Sequence, residues 1–117
     1  MIIEDDNDLS VIFSEALQAA GFETEIVRSG DTAMERLAVT KPDVVVLDLH
    51  LPRVTGVDIL RYIRADFRLV GTRVIIATAH PGMSESLRDE ADLVLLKPIS
   101  FAQLRDLAAI LGSARPR

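Results

Sequence analysis

Apolar positions along the chain fall into two alternating kinds of run. Short stretches rich in β-branched residues occupy positions 2–3, 24–27, 44–47, 74–77 and 93–96. The unbroken run Val44-Val45-Val46-Leu47 has no polar alternation, so it reads as a strand buried on both faces. Between these stretches the apolar residues recur every three or four positions. Leu9, Ile12, Phe13, Ala16, Leu17 and Ala20 form one such stripe, Ala33, Leu37 and Ala38 a second, and Leu60 and Ile63 a third. Phe101, Leu104, Leu107, Ala108 and Leu111 form the last, and each stripe is one buried helix face. A short helix over 84–91 is anchored only by Leu87 and Ala91.

Terminus signals agree with this division. Asn7 or Asp8 is expected to cap the first helix and Gly21 to end it. Ser100 followed by Gln103 fits a capping box for the last helix. Strand and helix therefore alternate five times, which predicts an α/β fold: a parallel sheet covered by helices on both faces through right-handed crossovers. One domain is expected over residues 1–111, with 112–117 as a tail or the start of a linker.

Composition narrows the function classes. The chain has 117 residues, 49% hydrophobic and 26% charged, which suits one compact domain with its own core. It contains no cysteine, which excludes disulfides and thiolate metal sites. A net charge of −5 does not favour nucleic acid or anionic lipid. No apolar run has the length of a membrane span, and the start Met1-Ile2-Ile3-Glu4-Asp5-Asp6 lacks the basic region of a signal peptide. The expectation is a soluble cytoplasmic domain.

In open α/β sheets ligands bind beyond the carboxyl ends of the strands. There the first strand delivers Glu4-Asp5-Asp6, the third Asp48, the fourth Thr78 and the fifth Lys97. Each residue alone has an ordinary explanation, such as a helix cap or a solvated ammonium; the set together has far fewer. Two carboxylates about 4 Å apart repel by roughly 4 kcal/mol at an effective dielectric near 20, so three need counter-charge. Lys97 supplies one, and a hard divalent cation such as Mg²⁺ supplies the rest. Such a cation can also meet an incoming phosphoryl oxygen. Thr78 and Lys97 are then available for two further phosphoryl oxygens, which leaves Asp48 as nucleophile and acyl phosphate carrier.

At these residues the chain closely resembles the response-regulator receiver family. The matching pieces are Ile2-Ile3-Glu4-Asp5-Asp6, then Val46-Leu47-Asp48-Leu49-His50-Leu51-Pro52 with Gly56, then Ile75-Ile76-Ala77-Thr78-Ala79, then Leu96-Lys97-Pro98. The resemblance implies a flavodoxin-like (βα)5 sheet with strand order 2-1-3-4-5. It implies Mg²⁺, or Mn²⁺, held by Asp5 directly, by Glu4 through water, by Asp48, and by the backbone carbonyl of His50. Asp6 lies outside the usual acidic pair. Asp48 becomes the phosphoacceptor, Thr78 the switch hydroxyl and Lys97 the phosphate-pairing base, with a cis Lys97–Pro98 bond. His50 and His80 stand two residues after Asp48 and Thr78, at variable positions that commonly tune how fast water removes the phosphate. The implied partners are a sensor histidine kinase or a histidine phosphotransfer protein, with an output domain or downstream protein beyond. Direct contact with nucleic acid or membrane is not expected, and the oligomeric state stays open.

The sequence departs from the family at four places. Val94 replaces the Tyr or Phe usual three residues before the lysine, so the two-residue relay with Thr78 is incomplete. The Thr78-to-Lys97 spacing is shorter by roughly one helical turn, and the glycine usual before the fifth strand is missing. The first strand begins only three residues before Glu4, short against a typical five or six, which implies a clipped strand or a start further upstream. Val94 and the short fourth helix motivate an alternative, a receiver-like scaffold that binds partners without phosphorylation. The retained Glu4, Asp5, Asp48, Thr78 and Lys97 argue against it. A haloacid-dehalogenase-type phosphatase would carry a second Asp at position 50, where this chain has His50. A flavin phosphate would meet an acidic loop after the first strand. The chain is therefore read as a phosphoacceptor switch rather than an enzyme in the ordinary sense.

Overall fold

The computed structural model describes residues 1–80, 82 and 85–113, for Ser113 the backbone alone. In chain order the elements are β1 (Ile2–Ile3), α1 (Asn7–Ala19), β2 (Ile26–Val27), α2 (Gly30–Leu37), β3 (Val44–Asp48) and α3 (Gly56–Ala65). A 3₁₀ turn at Phe67–Leu69 leads to β4 (Arg73–Thr78), α4 (Glu85–Glu90), β5 (Leu93–Leu96) and α5 (Phe101–Ser113). The strands form one parallel sheet in the order β2-β1-β3-β4-β5, as the alternation and the family resemblance imply.

The sheet works because successive residues of its inner strands feed opposite cores. Ile2, Val44, Val46, Ile75 and Ala77 pack under α1 and α5 against Phe13, Leu17, Leu104 and Ala108. Ile3, Val45, Leu47, Val74 and Ile76 pack on the other face against Leu37, Ile59, Leu60 and Ile63 of α2 and α3. All five residues of β3 are buried, so its lack of alternation reflects its central place.

Several boundaries differ from the sequence expectation. The cap of α1 is Asp6 rather than Asn7 or Asp8: its Oδ1 accepts the Leu9 N–H at 2.9 Å, and Asn7 already opens the helix. The chain turns after α1 at Gly21, with φ of 98°. β2 covers only Ile26–Val27, because β1 offers two residues to pair with, while the Thr24 hydroxyl faces Ser14 Oγ at 2.6 Å. Ser100 Oγ does accept the Gln103 N–H, at 3.0 Å. Helix α5 includes Gly112 and Ser113, which the pattern places at the head of a tail. Position 84, expected to open the fourth helix, lies outside the described residues, and α4 is seen from Glu85. The Lys97–Pro98 peptide is cis.

The start of α3 carries a capping box that the apolar stripe does not reveal. Thr55 Oγ1 accepts the Asp58 N–H at 3.3 Å, and Asp58 Oδ2 accepts the Thr55 N–H at 3.1 Å. Thr55→Ala is expected to lower stability by about 1 kcal/mol. Leu60→Ala, which empties a fully buried site on the same helix, is expected to lower it by about 2–5 kcal/mol. Urea unfolding of both variants checks this order, and a larger loss for the threonine variant would contradict it.

Candidate functional site

The carboxyl ends of the strands gather the residues that the sequence singles out. Glu4 follows β1 and is 1% exposed, and Asp48 closes β3 at 5%. Thr78 closes β4 and is fully buried, while Lys97 follows β5. Asp5, next to Glu4, faces solvent. Glu4, Asp5 and Asp48 each bring a carboxylate oxygen to within 4.8 Å of the others. Asp6, by contrast, is spent on the helix cap.

Lys97 organises the charge. Its Nζ lies 2.7 Å from Glu4 Oε1 and 3.8 Å from Asp48 Oδ1, so the ammonium pairs first with Glu4. The ladder sets this placement, since the Lys97 N–H donates to the Thr78 carbonyl at 2.8 Å and holds the end of β5 against that of β4. Burial pushes the Glu4 carboxyl above its ordinary value. The Lys97 hydrogen bond opposes this, and the neighbouring Asp48 charge adds to the rise. One ammonium against three carboxylates leaves the cluster short of positive charge. The donors are all hard oxygens, which fits a hard divalent cation.

The loop after β3 is held tightly. The His50 N–H donates to Asp48 Oδ1 at 3.1 Å, which orients the carboxylate. The Gly56 N–H returns to the Leu49 carbonyl at 3.0 Å and closes the loop. A Cβ on Gly56 would stand 2.3 Å from the Asp48 carbonyl oxygen, so only glycine lets α3 start against the backbone of Asp48. Gly30 plays a matching part that the sequence reading missed. A Cβ there would stand 2.1 Å from the Val54 carbonyl oxygen. Beside it Arg53, at φ 62°, pairs through Nε with Asp31 Oδ2 at 2.9 Å. The available signal was the run Ser29-Gly30-Asp31 at the end of the second strand, where a cap and a small residue coincide.

Thr78 Oγ1 accepts the His80 N–H at 3.1 Å. The rings of His50 and His80 meet edge to face, with centroids 4.6 Å apart, so the two histidines touch across neighbouring loops. A pocket of about 330 Å³ lies beside them, against Leu49, Val57, Thr78 and Leu87. Val94 is half-buried and packs into the core on the α2–α3–α4 face.

Comparison with known proteins agrees with this arrangement. The response regulator receiver domain family matches residues 1–109. The chain is 34% identical to the phosphate regulon transcriptional regulatory protein PhoB of Rhizobium meliloti, over 98% of this chain and 52% of that protein. It is 32% identical to the polar-differentiation response regulator DivK of Brucella ovis, over 97% of this chain and 96% of that protein. It thus spans about half of PhoB and nearly all of DivK. A solved CheY-like receiver domain from Methylobacillus flagellatus superposes with a TM-score of 0.84 at 25% identity, over 94% of each chain. With its strand order, its acidic cluster and this family match, the chain belongs to the response regulator receiver domains of two-component signalling.

Proposed function

We propose that Asp48 accepts a phosphoryl group, with Glu4, Asp5, Asp48 and the His50 backbone carbonyl as the residues that hold Mg²⁺. The observation that carries this reading is the single ammonium of Lys97 set between Glu4 and Asp48 in a cluster of three carboxylates. Mg²⁺, or Mn²⁺ in its place, supplies positive charge for the carboxylates and for the phosphoryl oxygens.

The chain's own residues account for the transfer. An Asp48 carboxylate oxygen attacks phosphorus, the bond from phosphorus to the donor's imidazole nitrogen breaks, and the imidazole leaves with the electron pair. The buried Thr78 hydroxyl donates to one phosphoryl oxygen, and Lys97 turns toward another. Water later attacks phosphorus, the bond from phosphorus to the Asp48 oxygen breaks, and inorganic phosphate leaves as the carboxylate is restored. The donor is a phosphohistidine on a sensor kinase or a phosphotransfer protein in the cytoplasm. The consequence is a changed contact with an output domain or downstream protein. His50 and His80, in contact above Asp48 and Thr78, modulate the lifetime of the phosphoryl group through access of water. Val94 lacks a ring that could move inward, so β5 takes a smaller part in switching than in receivers with an aromatic there.

Incubation with acetyl phosphate and Mg²⁺ is expected to add one phosphoryl group to the wild type and none to Asp48→Asn, read by intact mass. Equal labelling of both proteins would place the acceptor elsewhere. Labelling of neither would favour a scaffold that binds partners without phosphorylation. Titration with Mg²⁺ is expected to show Asp5→Asn weakened by about tenfold or more, equivalent to at least roughly 1.4 kcal/mol. An unchanged affinity would remove Asp5 from the metal site.

A further inference from the structure

The chain has two histidines and no cysteine, so His50 and His80 are its whole supply of imidazole and thiolate donors. The fold brings both to one place. Asp48 stands opposite Ala77 in the β3–β4 ladder, so the loops that follow these two strands run side by side. Each histidine is fixed at its backbone. The His50 N–H donates to Asp48 Oδ1 and the His80 N–H to Thr78 Oγ1, both at 3.1 Å. Both residues are exposed. Among the described residues no hydrogen bond or ion pair engages either ring, and the two rings meet each other.

The spacing of the rings is informative. Their centroids are 4.6 Å apart at an interplanar angle of 80°. Aromatic pairs range over about 4.5–7 Å, so this contact lies at the close end. An ion bound at about 2.0–2.1 Å to one nitrogen of each ring stands about 3.1 Å from each ring centre. For bond angles from octahedral to tetrahedral, the two centres are then about 4.4–5.1 Å apart. The observed separation falls inside that interval. The terminal torsion of a histidine ring is broad, so rotation of the rings turns nitrogens toward a shared ion without moving either backbone.

We propose that His50 and His80 form a second metal site, which takes a borderline divalent transition ion of the Zn²⁺ class across the two loops. Donor chemistry separates it from the Glu4, Asp5 and Asp48 cluster. Imidazole suits Zn²⁺, Ni²⁺ and Cu²⁺, whereas Mg²⁺ takes oxygen donors. Water completes the coordination shell, since the protein supplies two ligands. The ion links the loop after β3 to the loop after β4. The site does not depend on whether Asp48 is phosphorylated.

Calorimetric titration of the untagged protein with Zn²⁺, in excess Mg²⁺ so that the oxygen donors are already engaged, tests the proposal. The wild type is expected to take up one Zn²⁺ per chain. His50→Ala and His80→Ala are each expected to weaken binding by about tenfold or more, at least the loss that follows removal of an outer-sphere partner. Asp5→Asn is expected to bind Zn²⁺ as the wild type does. Zn²⁺ is also expected to raise the urea midpoint of the wild type, because an ion that binds only the folded chain stabilises it, and to leave both histidine variants unchanged. Nitrogen NMR of the wild type needs no variant, and there the imidazole signals of both histidines are expected to shift together. No uptake of Zn²⁺ in excess Mg²⁺ would overturn the site. So would undiminished affinity in either histidine variant, or a shift at one ring alone. A loss in Asp5→Asn as large as in the histidine variants would put the ion in the acidic cluster and overturn a separate site.

Discussion

Bringing Glu4 and Asp48 to one buried corner beside Asp5 creates a charge imbalance, and the contact of Lys97 with Glu4 at 2.7 Å is what makes that corner tolerable. Like charges a few ångströms apart repel by an amount comparable to what one ammonium returns. Lys97 therefore offsets part of the cluster and no more. Burial adds to the cost of keeping Glu4 ionised and so pushes its carboxyl above the ordinary value. The remaining demand for positive charge gives the site its chemical character. That demand suits a hard cation, and in the proposed function the cation and an anionic phosphoryl group would both stand beside Asp48.

Everything else in the fold serves to hold that corner. The parallel ladder carries β1, β3, β4 and β5 to one edge, so residues from four distant parts of the chain end side by side. Two glycines then let helices close on the loop after Asp48. Gly56 allows α3 to begin against the Asp48 backbone, and Gly30 allows α2 to press on Val54. These close approaches leave the loop little freedom, which suits a carboxylate that must keep its orientation while charge changes around it.

The opposite end of the sheet is held together in a different way. Arg64 and Asp92 bind α3, β4, α4 and β5 through directed polar contacts rather than apolar packing. The side chain at Val94 is aliphatic and sits in the core, so it offers no ring with inner and outer positions.

The amino-acid sequence by itself determined the strand–helix alternation, the central place of Val44-Val45-Val46-Leu47, and the identities of Glu4, Asp5, Asp48, Thr78 and Lys97 as the residues at one edge. These follow from periodicity and residue type, which are local properties, together with the rule that such sheets bind ligands at their carboxyl ends. Family resemblance added the strand order and the cis Lys97–Pro98 bond. Only the tertiary structure decided that Asp6 caps α1, that Lys97 leans to Glu4 more than to Asp48, that the two histidines touch, and that Gly30 and Arg64 matter at all. Even the cap depends on which of three successive acidic or amide side chains points back along the helix. The other contacts join residues from 8 to 93 positions apart. Their distances are set by how helices settle on the sheet, and no local pattern of hydrophobic and polar residues encodes that settlement.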